Sequence, residues 1–330
     1  MSILIHALVA LAYLGLTLWA WLGAWRPAPR VVPSASGLGG LAANAAGQGA
    51  LAHGPGNDGR ELPAAQRLVL LVTWVAHGTA LFGSLFERDG LRLGFAFALS
   101  ATMWLAVAIY WVESLYVRLA SMRVLILPLA ALCTLLPVWF PGALMPAQSG
   151  NRAFELHLIV AIAAYGLLTL AALHALLMAA LDRWLHGAAA GGAGGAGSAP
   201  GMGMMPGMTA GSADSAWSKA CQAVLGQLPP LMTMERLLFR TLAAGFVLLT
   251  LTLISGVIFS EELFGRPVRF EHKTVFGFLS WCIFAALLLG RRYRGWRGRR
   301  ALRWTLAGFF TMFLAYVGSR FVLEVILHRI

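Results

Sequence analysis

Charge is what this chain has least of. Only 12% of its 330 residues are Asp, Glu, Lys or Arg, about half the share in an ordinary soluble domain. So few charges cannot cover a soluble surface. With 59% hydrophobic residues and a mean hydropathy of +0.75, the chain reads as a polytopic membrane protein. That excludes a soluble Rossmann enzyme, a β-sandwich and a disordered tail protein. Cysteine is scarce too: Cys133, Cys221 and Cys282 form no CxxC. This excludes a disulfide scaffold, thiol–disulfide exchange within the chain and a covalent c-type haem motif, CxxCH. There is no Walker A loop, so the chain is not its own ATPase. HExxH and a Ser/His/Asp set are also absent, and few acids lie inside the apolar runs. These absences argue against a stand-alone enzyme and an ion-coupled transporter.

What is present is long apolar sequence. Eight segments can cross a core of about 30 Å as helices: 3–25, 68–86, 93–112, 124–140, 156–181, 238–260, 274–290 and 304–327. The expected fold is an all-α bundle of eight transmembrane helices. Pro128 and Pro137 are expected to kink the fourth or mark its ends. The first run, Ile3 to Trp25, lacks a basic leader region and a small-residue cleavage site, and Arg26 and Arg30 follow it. It reads as a retained helix with its N-terminus outside.

The basic residues test that orientation. With the N-terminus outside, seventeen Lys and Arg fall on the cytoplasmic side, including all seven arginines from Arg291 to Arg303. Seven fall outside, and Arg320 lies within the last helix. The bias predicts a membrane protein with both termini on the outer side. It also accounts for the net charge of +12 without nucleic acid. The run RRYRGWRGRRALR (291–303) reads as a topology anchor in contact with anionic lipid.

Five stretches follow. Residues 1–27 carry the first helix, and 28–66 are an Ala/Gly/Pro-rich linker. Residues 67–186 carry helices two to five. Residues 187–216 form a low-complexity Gly/Ala/Met linker, and 217–330 carry helices six to eight. Met202, Met204, Met205 and Met208 in the second linker are either a biased composition or soft ligands for Cu(I).

Histidine is the informative residue, because a polar, ionisable side chain inside a membrane is a functional candidate by default. Of eight, His6, His53, His186 and His328 lie near ends or in linkers. His157 (in AFELHLIVAIAAYG) begins the fifth helix and His272 (in RFEHKTVFGFLSW) the seventh. Both helices start on the outer side, so the two imidazoles share a depth. Such a pair is either a bis-His axial site for haem iron or two interfacial hydrogen-bonding residues. His77 (in LVLLVTWVAHGTALFGSLF) lies near mid-membrane, as a functional residue or a helix–helix hydrogen bond. His174 lies deeper than His157 on the same helix, where an inner pair with His77 is geometrically open. Arg320 (in FLAYVGSRFVLE) needs a partner: Glu324 one turn on, or a haem propionate.

The second half resembles the cytochrome c assembly family of membrane proteins, the group containing CcsA, CcmC and HemX, and within it the YpjD-type inner-membrane branch. The likeness rests on PPLMTMERLLF (229–239), GFVLLTLTLISGVIF (245–259), HKTVFGFLSW (272–281), GWRGRRA (295–301) and AYVGSR (315–320). HLIVAIAAYGLLTLAALHALL (157–177) and His77 fit as well. The resemblance implies a membrane protein of cytochrome c maturation. It would hold non-covalent haem b between histidines near the periplasmic face and act with other maturation proteins. By position, His157 and His272 would be the axial ligands, His77 an intramembrane haem residue and Arg320 a propionate partner. Trp281 and Tyr316 would line the pocket or simply pack. The outer loop SEELFGRPVRFE (260–271) lacks the tryptophan-rich WGxxWxWD segment of haem-delivering members. This sets a second expectation beside the first: a membrane scaffold or regulator of haem biosynthesis that binds a protein partner without itself delivering haem.

Overall fold

A computed structural model describes residues 2–24, 64–87, 90–116, 122–145, 152–193, 231–264 and 272–326. Some side chains at element ends, those of His272 and Glu324 among them, are not described. The linker at 28–63, the methionine cluster, Cys221, His53 and His328 lie outside the described residues.

The described residues form eight helices. They are α1 (Ser2–Ala24), α2 (Ala64–Leu85), α3 (Phe95–Tyr116), α4 (Arg123–Trp139), α5 (Arg152–Ala193), α6 (Leu231–Phe264), α7 (His272–Arg294) and α8 (Gly298–Phe313). Each is an apolar run long enough to satisfy its backbone internally, which a bilayer requires. Seven are long and apolar enough to cross a membrane, and α4, with 17 residues, is the short one. The sequence places this helix at 124–140 with both prolines kinking it or marking its ends; the helix runs through Pro128 and Pro137, and neither ends it. Each proline removes one hydrogen bond to the carbonyl four residues before it, and Pro137 does so in the last turn.

Three short strands were not expected: β1 (Phe86–Glu87), β2 (Gly90–Leu93) and β3 (Ala143–Met145). They pair antiparallel in the order β1-β2-β3. The sheet fixes topology. It ties the end of α2, the start of α3 and the end of α4 to one end of the bundle. The short α4 therefore runs back to the capped end, beside the seven longer spans among the described residues. The chain is an all-α, multi-pass membrane protein, with the sheet as a small cap.

The helices pack in two rings of four. In the first, α1 packs on α2, α2 on α3, α3 on α4 and α4 on α1. In the second, α5 packs on α6, α6 on α7, α7 on α8 and α8 on α5. Helix α3 joins the rings through α5. Small residues let backbones approach where lipid supplies no hydrophobic drive. Ala164, Ala171, Ala172 and Ala175 of α5 are buried, and a Cβ on Gly245 of α6 would stand 2.8 Å from Leu168. Gly245→Val should therefore part α5 from α6 and cost about 1–3 kcal/mol by overpacking. Thermal unfolding in detergent would show this as a lowered midpoint.

Several helices outrun their sequence bounds. Helix α5 continues to Ala193, into the Gly/Ala segment read as linker from residue 187, because alanine is the best helix former. The last helix, expected over 304–327, is not uniform. Beyond Phe313 it passes through two π-type segments, Leu314–Gly318 and Val322–Ile326, with Ser319–Phe321 between them.

Candidate functional site

The two intramembrane histidine settings differ in what their neighbours demand. His77 of α2 is fully buried at the centre of the first ring. Its Nδ1 lies 3.3 Å from the Tyr13 hydroxyl of α1. Its Nε2 lies 3.0 Å from Ser100 Oγ of α3 and 3.2 Å from Thr134 Oγ1 of α4. Thr134 donates its proton to the Ala130 carbonyl at 2.7 Å, so towards His77 it accepts. The network assigns the hydrogen to Nε2, and Tyr13 donates to Nδ1. One imidazole thus ties its own helix to the three others of the ring. Beside it, Trp74 and Trp104 stack at 4.9 Å, and each indole donates to the other's backbone carbonyl at 3.0 Å.

His157 of α5 has the opposite tautomer. Its Nδ1 lies 2.7 Å from Ser255 Oγ of α6. Ser255 donates to the Thr252 carbonyl at 3.1 Å, so it accepts from His157. Nδ1 then carries the hydrogen and Nε2 the lone pair, the electron pair a metal takes. Gly256 of α6 faces the same ring: a Cβ there would stand 3.5 Å from His157 Cε1, an ordinary contact.

His272 is the first residue of α7. Seven residues separate α6 from α7, a span of at most about 25 Å, so both helices meet at one end. Gly277 of α7 stands beside Leu253 of α6. Counting along both helices from that contact puts the His272 backbone about 5 Å beyond the level of Ser255, towards the same end. Helices α5 and α7 occupy opposite corners of the second ring.

Arg320 lies in the short turn between the two π-type segments. Val317 packs with Phe95 and Ala96 at the start of α3, and Phe321 meets Phe95 edge-on at 5.4 Å. Arg320 therefore belongs to the capped end, where α5 also starts. His157, His272 and Arg320 share that end on three different helices; His77 stands in the other ring. Trp281 packs between α6 and α7, stacked with Phe246 and donating to Thr250 at 2.9 Å. Tyr316 packs near Phe95 and Phe313.

His174 is fully buried elsewhere on α5, with Nδ1 donating to the Leu170 carbonyl at 2.9 Å. Its Nε2 faces Glu113 Oε2 at 3.7 Å, and Glu113 accepts from Thr241 at 3.0 Å. An inner pair with His77 is not formed: each histidine has its own partners. Sequence reasoning missed Ser255, Tyr13, Ser100, Thr134 and the Glu113–His174 pair. Their only signal is polarity inside an apolar run. Among the described residues no cluster of three or more His, Cys, Asp or Glu could hold a metal ion alone.

Residues 65–327 match the Cytochrome C assembly protein family. The chain belongs to that family. Among curated relatives, inner membrane protein YpjD of Escherichia coli K12 is 40% identical over 100 residues, 30% of this chain and 37% of that protein. Cytochrome c biogenesis protein CcsA of Prochlorococcus marinus MIT 9515 is 39% identical over 89 residues, 27% of this chain and 28% of that protein. These alignments span little more than a third of the relatives' length at most. No solved structure matches the chain.

Proposed function

We propose that this protein handles haem in cytochrome c maturation, as an assembly factor and not an enzyme in its own right. The observation that carries this is the His157 tautomer. A metal-binding histidine usually donates its second N–H to an acceptor that fixes the ring, and Ser255 is that acceptor. His157 and His272 would be the axial ligands. They stand at one end and similar depth, on opposite corners of one helix ring. Arg320 suits a propionate, because a guanidinium fork matches a carboxylate. It also lies between π-type segments, which concentrate at functional sites. His77 enters as the node that holds the first ring together, since the hydroxyls around it engage both ring nitrogens.

Haem b would be held non-covalently, and its iron supplies the axial positions. The chain's own residues orient the rings and offset the propionate charge. The family match and the CcsA and YpjD relatives support this role. The arginine bias supports an inner-membrane placement with both termini and the histidine end periplasmic. Haem and other maturation proteins would be its partners.

The visible spectrum of the purified full-length protein tests this, oxidised and reduced, with and without added haem. A Soret band with sharp reduced α and β bands is expected. A colourless protein that takes up no added haem would overturn the reading in favour of a cofactor-free scaffold or regulator.

A further inference from the structure

The end of the bundle opposite His157 carries a feature that haem handling does not use. Where α7 gives way to α8, a cleft of about 360 Å³ is lined by Ala286, Leu289, Gly290, Tyr293, Arg294 and Trp296. That volume lies within the range of small-molecule sites, about 300–1,000 Å³. Its lining changes along α7. Ala286 and Leu289 belong to the last apolar turns, and Leu289 is exposed. Tyr293 and Arg294 follow one turn later.

The turn above the cleft is well built. Gly295 and Gly298 adopt φ of 63° and 56°, the left-handed region that glycine enters freely. The Trp296 backbone N–H donates to the Gly290 carbonyl at 3.2 Å. The Trp296 ring packs on Trp304 at 5.2 Å, with the Arg300 guanidinium 5.4 Å away. Gly290 lets the Trp296 ring lie directly on α7, because a Cβ there would run into that ring.

Charge at this end is unbalanced. Arg291 and Arg297 share Glu235, and Arg299 pairs with Asp182 at 2.6 Å. Arg292, Arg294, Arg300 and Arg303 are exposed, with no acidic partner among the described residues. An apolar floor, an aromatic wall and a cationic rim succeed one another along α7. A phospholipid presents acyl chain, glycerol and phosphate in the same order.

We propose that this cleft binds one anionic phospholipid. Arg294 holds the phosphate, Arg292 and Arg303 add to the positive field, and the acyl chain runs over Ala286 and Leu289 against Trp296. A free anion would have no use for the apolar floor.

Native mass spectrometry of the full-length protein tests this. Phosphatidylglycerol is titrated against phosphatidylcholine, with inorganic phosphate as competitor. Phosphatidylglycerol should be retained preferentially and survive excess phosphate. Arg294→Gln and Arg292→Gln should each weaken its retention about fivefold, the weight of one cation near a charged headgroup. Arg183→Gln, an exposed arginine on α5, removes the same charge and should change retention little. Gly290→Leu should fill the cleft and reduce retention of both lipids; if it does not fold, the exposed arginine variants carry the test. Equal retention of the two lipids, no effect of the Arg292 and Arg294 variants, or full displacement by phosphate would each overturn the proposal.

Discussion

His77→Ala should destabilise the protein more than any other single change in the first ring, by about 3–5 kcal/mol, the range for emptying a large buried side chain. The site is fully buried where all four helices of the ring meet. Removing the ring opens a cavity and strips the Tyr13 hydroxyl of its acceptor and Ser100 of its donor. Interhelical hydrogen bonds in membranes average only about 0.6 kcal/mol each, so the cavity dominates and the network adds to it. Tyr13→Phe and Ser100→Ala, which remove one partner and leave the ring, should each cost about 0.6 kcal/mol on the same average. Thermal unfolding in detergent would rank the three. A His77→Ala protein that melts with the wild type would show that His77 is not the node of the ring. If the same variant binds haem as the wild type does, His77 is structural in the strict sense.

The helices were legible because a bilayer demands them. A run of about twenty apolar residues has one stable outcome there, and all eight runs became helices. Their ends were less legible. Helix α6 begins at Leu231, where the sequence reading begins at residue 238. Its first turns carry Glu235 and Arg236 and look polar, yet Glu235 is buried against Arg291. A charge that pairs at the membrane boundary does not end a helix. The strands escaped notice because two to four residues hold no period, and their pairing joins Leu91 to Met145 across two whole helices.

The site was half legible, for a similar reason. That His77, His157 and His272 matter follows from the rarity of ionisable groups in apolar runs. What each does depends on partners far along the chain. Ser255 is 98 residues from His157, and Tyr13 is 64 from His77. Both are hydroxyl residues within apolar stretches, and nothing local marks them. Only the packing of α5 on α6, and the convergence of α1, α3 and α4 on His77, assigns the tautomers. Those tautomers separate an imidazole whose two nitrogens both meet hydroxyls from one whose Nδ1 hydrogen is held by a single serine.

His157→Ala and His272→Ala should each abolish the sharp reduced α and β bands of a bis-His haem, because either leaves iron with a single protein imidazole. Ser255→Ala separates ligation from packing. It keeps both histidines and removes only the acceptor that holds the Nδ1 hydrogen of His157. Loss of such an outer partner typically weakens metal affinity 10–100-fold, so the Ser255 variant should show the same band shape at higher haem concentrations. Free imidazole should restore the bands in the two alanine variants, since it supplies the missing ligand. It should do nothing for Ser255→Ala, where no ligand is missing. Arg320→Lys keeps the charge but loses the fork, and should weaken haem uptake without changing the bands. Bands that survive in both histidine variants would move the ligands away from the capped end of the second ring. Bands lost in both but not restored by imidazole would show that the variants had disturbed the packing of α5 on α6 and of α7 on α8, and not ligation alone.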